Sequence, residues 1–221
     1  MNRIAILSGA VALALGLAAR PAQATMKGLN QIVTPDIQPA GKMSLSVQAE
    51  NSQVGNSEQF QAELGLSKRF EVAWYAGFHP GDNLFHAEYG LIQEKHLLLS
   101  TGFLNWSARG ASPQVFLESG YYTGPLQTMF GAINAQHHLG ILAGSAYQVT
   151  PRVQIEADYQ SGQANFATAG FTWTMAPNLQ LNPALYISNS SPHKAYPYAV
   201  MTWTFSLWNP EHKDKPAAAK S

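Results

Sequence analysis

The sequence predicts an all-β fold: a transmembrane, up-and-down antiparallel barrel of about twelve strands, with ten as the smaller count. Three observations predict it. From Lys42 to Trp208 apolar residues recur at every second position. Side chains alternate faces along a strand, so each such segment has one apolar and one polar face. The connections alternate between tight turns and longer loops rich in Gly, Asn and Ser. Beyond residue 24 no apolar run reaches the roughly 20 residues that a spanning helix needs.

The chain opens on the basic start MNR, runs through the apolar stretch IAILSGAVALALGLAA, and reaches AQA at 22–24. This pattern predicts a secretory signal peptide, residues 1–24, removed after Ala24. Arg20 and Pro21 end the apolar run at the length of a signal core, not of a membrane span. Residues 25–41, TMKGLNQIVTPDIQPAG, hold two prolines and no sustained period. They are expected as an extended, loosely packed lead-in ahead of the barrel.

The strands follow. MSLSVQAE sets Met43, Leu45, Val47 and Ala49 against Ser44, Ser46, Gln48 and Glu50. FQAELGLS sets Phe60, Ala62, Leu64 and Leu66 against Gln61, Glu63, Gly65 and Ser67. FEVAWYAGF and FHAEYGL continue the rule, with Glu71, Tyr75, His86 and Glu88 on the polar faces. LLLSTGFL at 97–104 has an ambiguous phase. VFLESGYY places Phe116, Glu118, Gly120 and Tyr122 together, and vaguer segments follow near 127–135 and 138–148. VQIEADYQ alternates cleanly: Val153, Ile155, Ala157 and Tyr159 oppose Gln154, Glu156, Asp158 and Gln160. ATAGFTWTM, LQLNPALYI and YAVMTWTFSLW complete the set. Pro183 cannot donate to a ladder, so a bulge or a shorter strand is expected there.

The tight turns are SKR (67–69), QEK (93–95), TGP (123–125), TPR (150–152) and APN (176–178). The loops opposite include 51–59, 79–83, 105–112, 161–165 and 189–197. Short turns at one end and longer loops at the other characterise membrane barrels, and an even strand count puts both chain ends on the short-turn side. Segments of about 8–11 residues suit a tilted strand crossing a bilayer. Phe70, Tyr121, Tyr147, Tyr159 and Phe205 sit toward strand ends, as interfacial girdles require. A soluble sandwich is the competing architecture.

The stretch 42–208, with its closing WTFSLW, resembles a bacterial outer-membrane β-barrel. SKRFEVAWYAG, TPRVQIEADYQ and APNLQLNPALY resemble the turn-then-strand phrases of that class. The resemblance implies residence in the outer membrane, lipid as a partner, periplasmic short turns and a periplasmic lead-in at 25–41. Such chains end at the terminal aromatic. This one adds residues 209–221, NPEHKDKPAAAKS, expected as a polar periplasmic tail.

Charge placement carries the functional expectation. Removing 1–24 leaves 11 basic and 13 acidic residues, a balance of −2 that argues against nucleic acid as a partner. Charge on the lipid face is costly, so strand-borne acids must point inward. Glu63, Glu88, Glu118, Glu156 and Asp158 are the candidate lumen residues, and no inward position away from the strand ends carries Lys or Arg. Cations, water or an inward loop with Arg109 or Lys194 would have to balance them. Acidic linings select cations, so a monomeric pore for small cationic or polar solutes is expected. The rival is a non-conducting structural or surface-interaction barrel filled by Tyr75, Phe116, Tyr122 and Tyr186.

Other chemistry is weakly signalled. The chain has no cysteine, which removes thiol catalysis. A barrel lipid hydrolase would need a Ser–His pair. Ser191 with His193, and Ser100 with His96, are the local options, but Pro192 interrupts the first and two pleats separate the second. His137 and His138 offer fewer ligands than a structural zinc site needs, and Glu156 with Asp158 is a minimal hard-cation pair. No catalytic residue, metal or cofactor is assigned.

Overall fold

The computed structural model describes residues 28–209, apart from 56, 79–80, 108–112 and 136–137. The signal peptide at 1–24, the start of the lead-in, Arg109, His137 and residues 210–221 of the tail therefore lie outside the described residues. Twelve strands form one closed antiparallel barrel in sequence order. They are β1 (Lys42–Glu50), β2 (Glu58–Ser67), β3 (Phe70–Phe78), β4 (Gly81–Gln93), β5 (Leu97–Trp106) and β6 (Gln114–Thr123). β7 (Leu126–Ala135), β8 (His138–Thr150), β9 (Val153–Gln160), β10 (Phe166–Ala176), β11 (Leu179–Ser188) and β12 (Ala195–Ser206) complete the wall. β12 closes on β1 through an unbroken register from Lys42↔Ser206 to Glu50↔Tyr198.

The alternation decides which face is which. Val47, Trp74, Phe130, Ile155 and Met201 are exposed on the outer wall. Ser44, Ser46, Gln61, Glu63, Thr202 and Thr204 are buried inside. Closure makes such an inside-out arrangement stable, because no strand edge is left unpaired. Hydroxyl pairs lock the seam from within: Ser44 and Ser46 meet Thr204 and Thr202, each at 2.9 Å.

The loops are less asymmetric than the sequence suggested. β4 and β8 have 13 residues each; β4 takes up residues 81–83, expected as loop, and β8 takes up Thr150, expected in a tight turn. Only residues 79–80 separate β3 from β4, and 136–137 separate β7 from β8. Nor does Pro183 interrupt β11. The register runs through it, with Pro183 opposite Ala199 and no shift between Gly170↔Ala184 and Trp173↔Leu181. The adjacent Asn182 supplies a substitute donor, its Nδ2 donating to the Phe171 carbonyl at 3.2 Å.

The largest departure concerns the lead-in. Its described part, residues 28–41, is not loosely packed ahead of the barrel. It lies inside. Leu29 and Ile32 are buried in one apolar cluster with Phe116, Met129, Ile133, Leu142 and Ala146. These wall residues come from β6, β7 and β8, so part of the inner wall is apolar. That explains why the two-residue period blurs there: both faces of β7 and β8 carry apolar side chains, one outward and one against the segment.

Candidate functional site

The site is the lumen and the segment that fills it. At Gly41, φ is +78°, a conformation open to glycine, and the chain turns there from β1 into the lumen. A Cβ at Gly41 would also lie 2.3 Å from the Trp208 carbonyl oxygen. Gly41 N–H donates to the Gly65 carbonyl, and Leu207 N–H donates to the Gly41 carbonyl. This fixes the root of the segment at the short-turn end.

From that root the segment climbs the inner wall. Gln38 donates its backbone N–H to Glu71 and its Nε2 to Ser44 Oγ. Tyr122 donates its hydroxyl to Asp36 at 2.9 Å. Gln93 Nε2 donates to the Pro35 carbonyl at 2.7 Å. At the tip, Asp158 Oδ2 accepts the backbone N–H groups of Asn30 at 2.7 Å and Gln31 at 3.0 Å. Asn30 Nδ2 donates to Thr168 Oγ1 at 3.0 Å, and the Tyr186 hydroxyl donates to the Asn30 carbonyl. Pro35 and Pro39 lack N–H groups, which disfavours absorption of the segment into the sheet as a further strand.

The wall is cut away beneath it. A Cβ on Gly65 would lie 2.2 Å from the Gln38 carbonyl oxygen, one on Gly120 2.7 Å from Pro35, one on Gly144 2.5 Å from Leu29, and one on Gly170 2.5 Å from Asn30. Four wall glycines thus make a track that only a bare backbone leaves open.

What remains of the lumen is unequal. A cavity of about 300 Å³ opens toward the long loops, lined by Gln48, Glu50, Gln61, His86, Asn165 and Tyr198 among others. His86 stacks on Tyr75 with ring centroids 4.1 Å apart and hydrogen-bonds Asn105 at 3.2 Å. Deeper voids of about 20 and 30 Å³ hold no more than a water or so. Residues of the docked segment line all three spaces: Leu29 to Val33 the outer cavity, Val33 one deep void and Leu29 the other.

All five candidate lumen residues are buried on the inner wall: Glu63, Glu88, Glu118, Glu156 and Asp158. They do not surround one open ring. Glu63 and Glu88 meet Glu71 around the void of about 20 Å³. Glu156 borders the separate void of about 30 Å³ and accepts from Asn182 Nδ2 at 3.4 Å. Asp158 holds the segment. Every described Lys and Arg is exposed, including Lys194, so no described loop cation enters to balance the acids. For Asp158 and Glu71 the balance comes from backbone N–H donors of residues 30, 31 and 38. The sequence reading missed Asn30, Gln31, Asp36 and Gln38. The apolar residues Leu29, Ile32, Val33 and Ile37 in a stretch without a period were the available signal.

The candidate chemistry does not assemble. Among the described residues no hydrogen bond joins Ser191 to His193, and His193 is exposed. His96 Nδ1 instead engages the Tyr122 carbonyl at 2.7 Å, while Ser100 is fully buried. No three His, Asp or Glu side chains among the described residues converge as a metal site.

The architecture and lumen define the class: an all-β outer-membrane-type barrel of twelve antiparallel strands. Solved structures of similar shape are porins. The NanC porin aligns with a TM-score of 0.52 at 7% identity, over 75% of this chain and 100% of that one. The KdgM porin aligns with a TM-score of 0.55 at 9% identity, over 74% of this chain and 99% of that one. KdgM in complex with disordered oligogalacturonate gives a TM-score of 0.54 at 9% identity, over the same shares. At these identities the likeness is one of fold. No protein-family profile and no curated protein sequence matches the chain.

Proposed function

We propose that this chain is an outer-membrane channel for small polar solutes, working as a monomer, with an inner wall that favours cations. The observation that carries this reading is the sign of the wall. Glu63, Glu71, Glu88, Glu118, Glu156 and Asp158 are buried inside, and the described basic residues lie outside. Carboxylates along a confined path attract cations and repel anions. The KdgM structure is described with an oligogalacturonate, a polyanion. The acidic lining here argues for solutes of the opposite charge or of none. An exported precursor whose leader is removed, and an outer-membrane address, belong to the same proposal.

The segment inside the lumen favours a second reading, a barrel that carries no current and meets partners through its loops. Recording in planar bilayers, across a salt gradient, separates the two. Cation-selective current supports the channel. Anion preference, or silence from both the full mature chain and a chain lacking residues 28–40, overturns it.

A further inference from the structure

We infer that residues 28–41 are a gate, rooted at Gly41 and latched at Asp158, that swings out of the lumen toward the short-turn end. The geometry separates a gate from a permanent filling in four ways.

The segment is held to the wall at points. None of residues 28–41 belongs to a strand, and its prolines disfavour its becoming one. Its anchors are discrete groups: Asp158, Thr168 and Tyr186 at the tip, Gln93 and Tyr122 midway, Glu71 and Ser44 near the root.

The docked tip is imperfectly satisfied. Gln31 Oε1 and Asn182 Oδ1 are buried acceptors without a hydrogen-bond partner. Water is the donor left to satisfy them, and an open lumen admits more of it than the void of about 30 Å³ beside Asn182.

Packing is loose on both flanks. One void borders Leu29 and another borders Val33, each large enough for about one water.

The track is compatible with withdrawal. The wall under the segment is glycine at Gly65, Gly120, Gly144 and Gly170, so no wall side chain interlocks with the segment at those four positions. The exposed track would carry Asp158, Thr168, Glu71 and Ser44, polar groups that water solvates. Its apolar part, Phe116, Met129, Ile133 and Leu142, is the cost that returns the segment to its dock.

Asp158 is in this account a positioning residue. It holds two successive backbone N–H groups of the segment by one carboxylate oxygen. The inference rests on the channel reading for one of its two readouts only.

The first readout is a lock. The chain has no cysteine, so Asn30→Cys with Thr168→Cys gives a single thiol pair where two side chains now touch at 3.0 Å. Oxidised, or bridged with a short bifunctional thiol reagent, the purified mature protein should lose its current in a planar bilayer, and reduction should restore it. A pair shown by mass spectrometry to be bridged that conducts like the reduced form overturns the gate and leaves the channel standing.

The second readout needs no current. Ile32→Cys is buried in the docked state, so its labelling by a charged maleimide reports undocking. Adding Asp158→Ala should raise that rate by about tenfold to a hundredfold, the factor expected for a lost charge-assisted hydrogen bond. Tyr186→Phe, which keeps the ring and removes one bond to Asn30, should raise it by less. Rates unchanged by both overturn the gate, whether or not any form conducts.

Discussion

The Asp158 carboxylate accepts the backbone N–H of Asn30 at 2.7 Å, across 128 residues of sequence. It joins the middle of the wall to the tip of the N-terminal segment and converts an unexplained acid into an anchor. A hydrogen bond with one charged partner contributes about 1.5–3 kcal/mol, so Asp158→Ala should lower barrel stability by about that amount. Urea unfolding in detergent, followed by tryptophan fluorescence, measures it. An unchanged midpoint would mean the anchor contributes nothing.

Gly144→Val should displace the segment and leave the barrel intact. The new Cβ would fall 2.5 Å from Leu29 and 2.9 Å from Ile32, inside any real contact distance. The expected result is a native barrel by heat-modifiable gel mobility, with residues 28–41 newly open to protease. A protected segment in a folded variant would contradict the track.

Leu29→Ala tests the same contact from the other side. Truncating a buried leucine costs about 2–5 kcal/mol where the cavity cannot collapse. Here the cost falls on docking, because Leu29 packs only between segment and wall. The variant should label faster at Ile32→Cys, and its barrel should unfold close to the midpoint of a chain lacking residues 28–40.

Asn182 and Pro183 should be coupled. Asn182 Nδ2 donates to the carbonyl that Pro183 leaves without a ladder donor. Asn182→Leu should destabilise by about 1–3 kcal/mol. Adding Pro183→Ala restores a backbone N–H and should recover part of that loss. A double-mutant cycle with no coupling would show the two residues act independently.

Cation preference should follow the wall. Glu63→Gln with Glu88→Gln removes two carboxylates from one void and should move the reversal potential toward the unselective value. A potential that stays put would assign selectivity to other groups, such as Glu50 at the outer cavity.

The wall was legible in the sequence because period two is strict wherever one face is polar. VQIEADYQ is β9 residue for residue, and its acids point inward as the alternation requires. Tyr186 and Phe116 are inward and buried as expected. Legibility failed where the inner face is apolar. Met129, Ile133, Leu142 and Ala146 look like lipid-facing residues to any periodicity argument, because the partner that buries them is remote in sequence. The N-terminal segment was unreadable for the complementary reason. Its contacts are to single side chains of distant strands, which leaves it no period of its own.

The seam between β1 and β12 has a consequence for how the molecule is made. The segment runs directly into β1, and β12 is the last strand in the sequence. Once Lys42–Glu50 has zipped to Ala195–Ser206, the wall has no side entrance. The segment must therefore either lie across the open sheet while the final hairpins form, or thread in afterwards through the short-turn mouth. In the first case the barrel is wound around a core already in place, and Leu29 and Ile32 serve as the mandrel on which β6, β7 and β8 take their curvature.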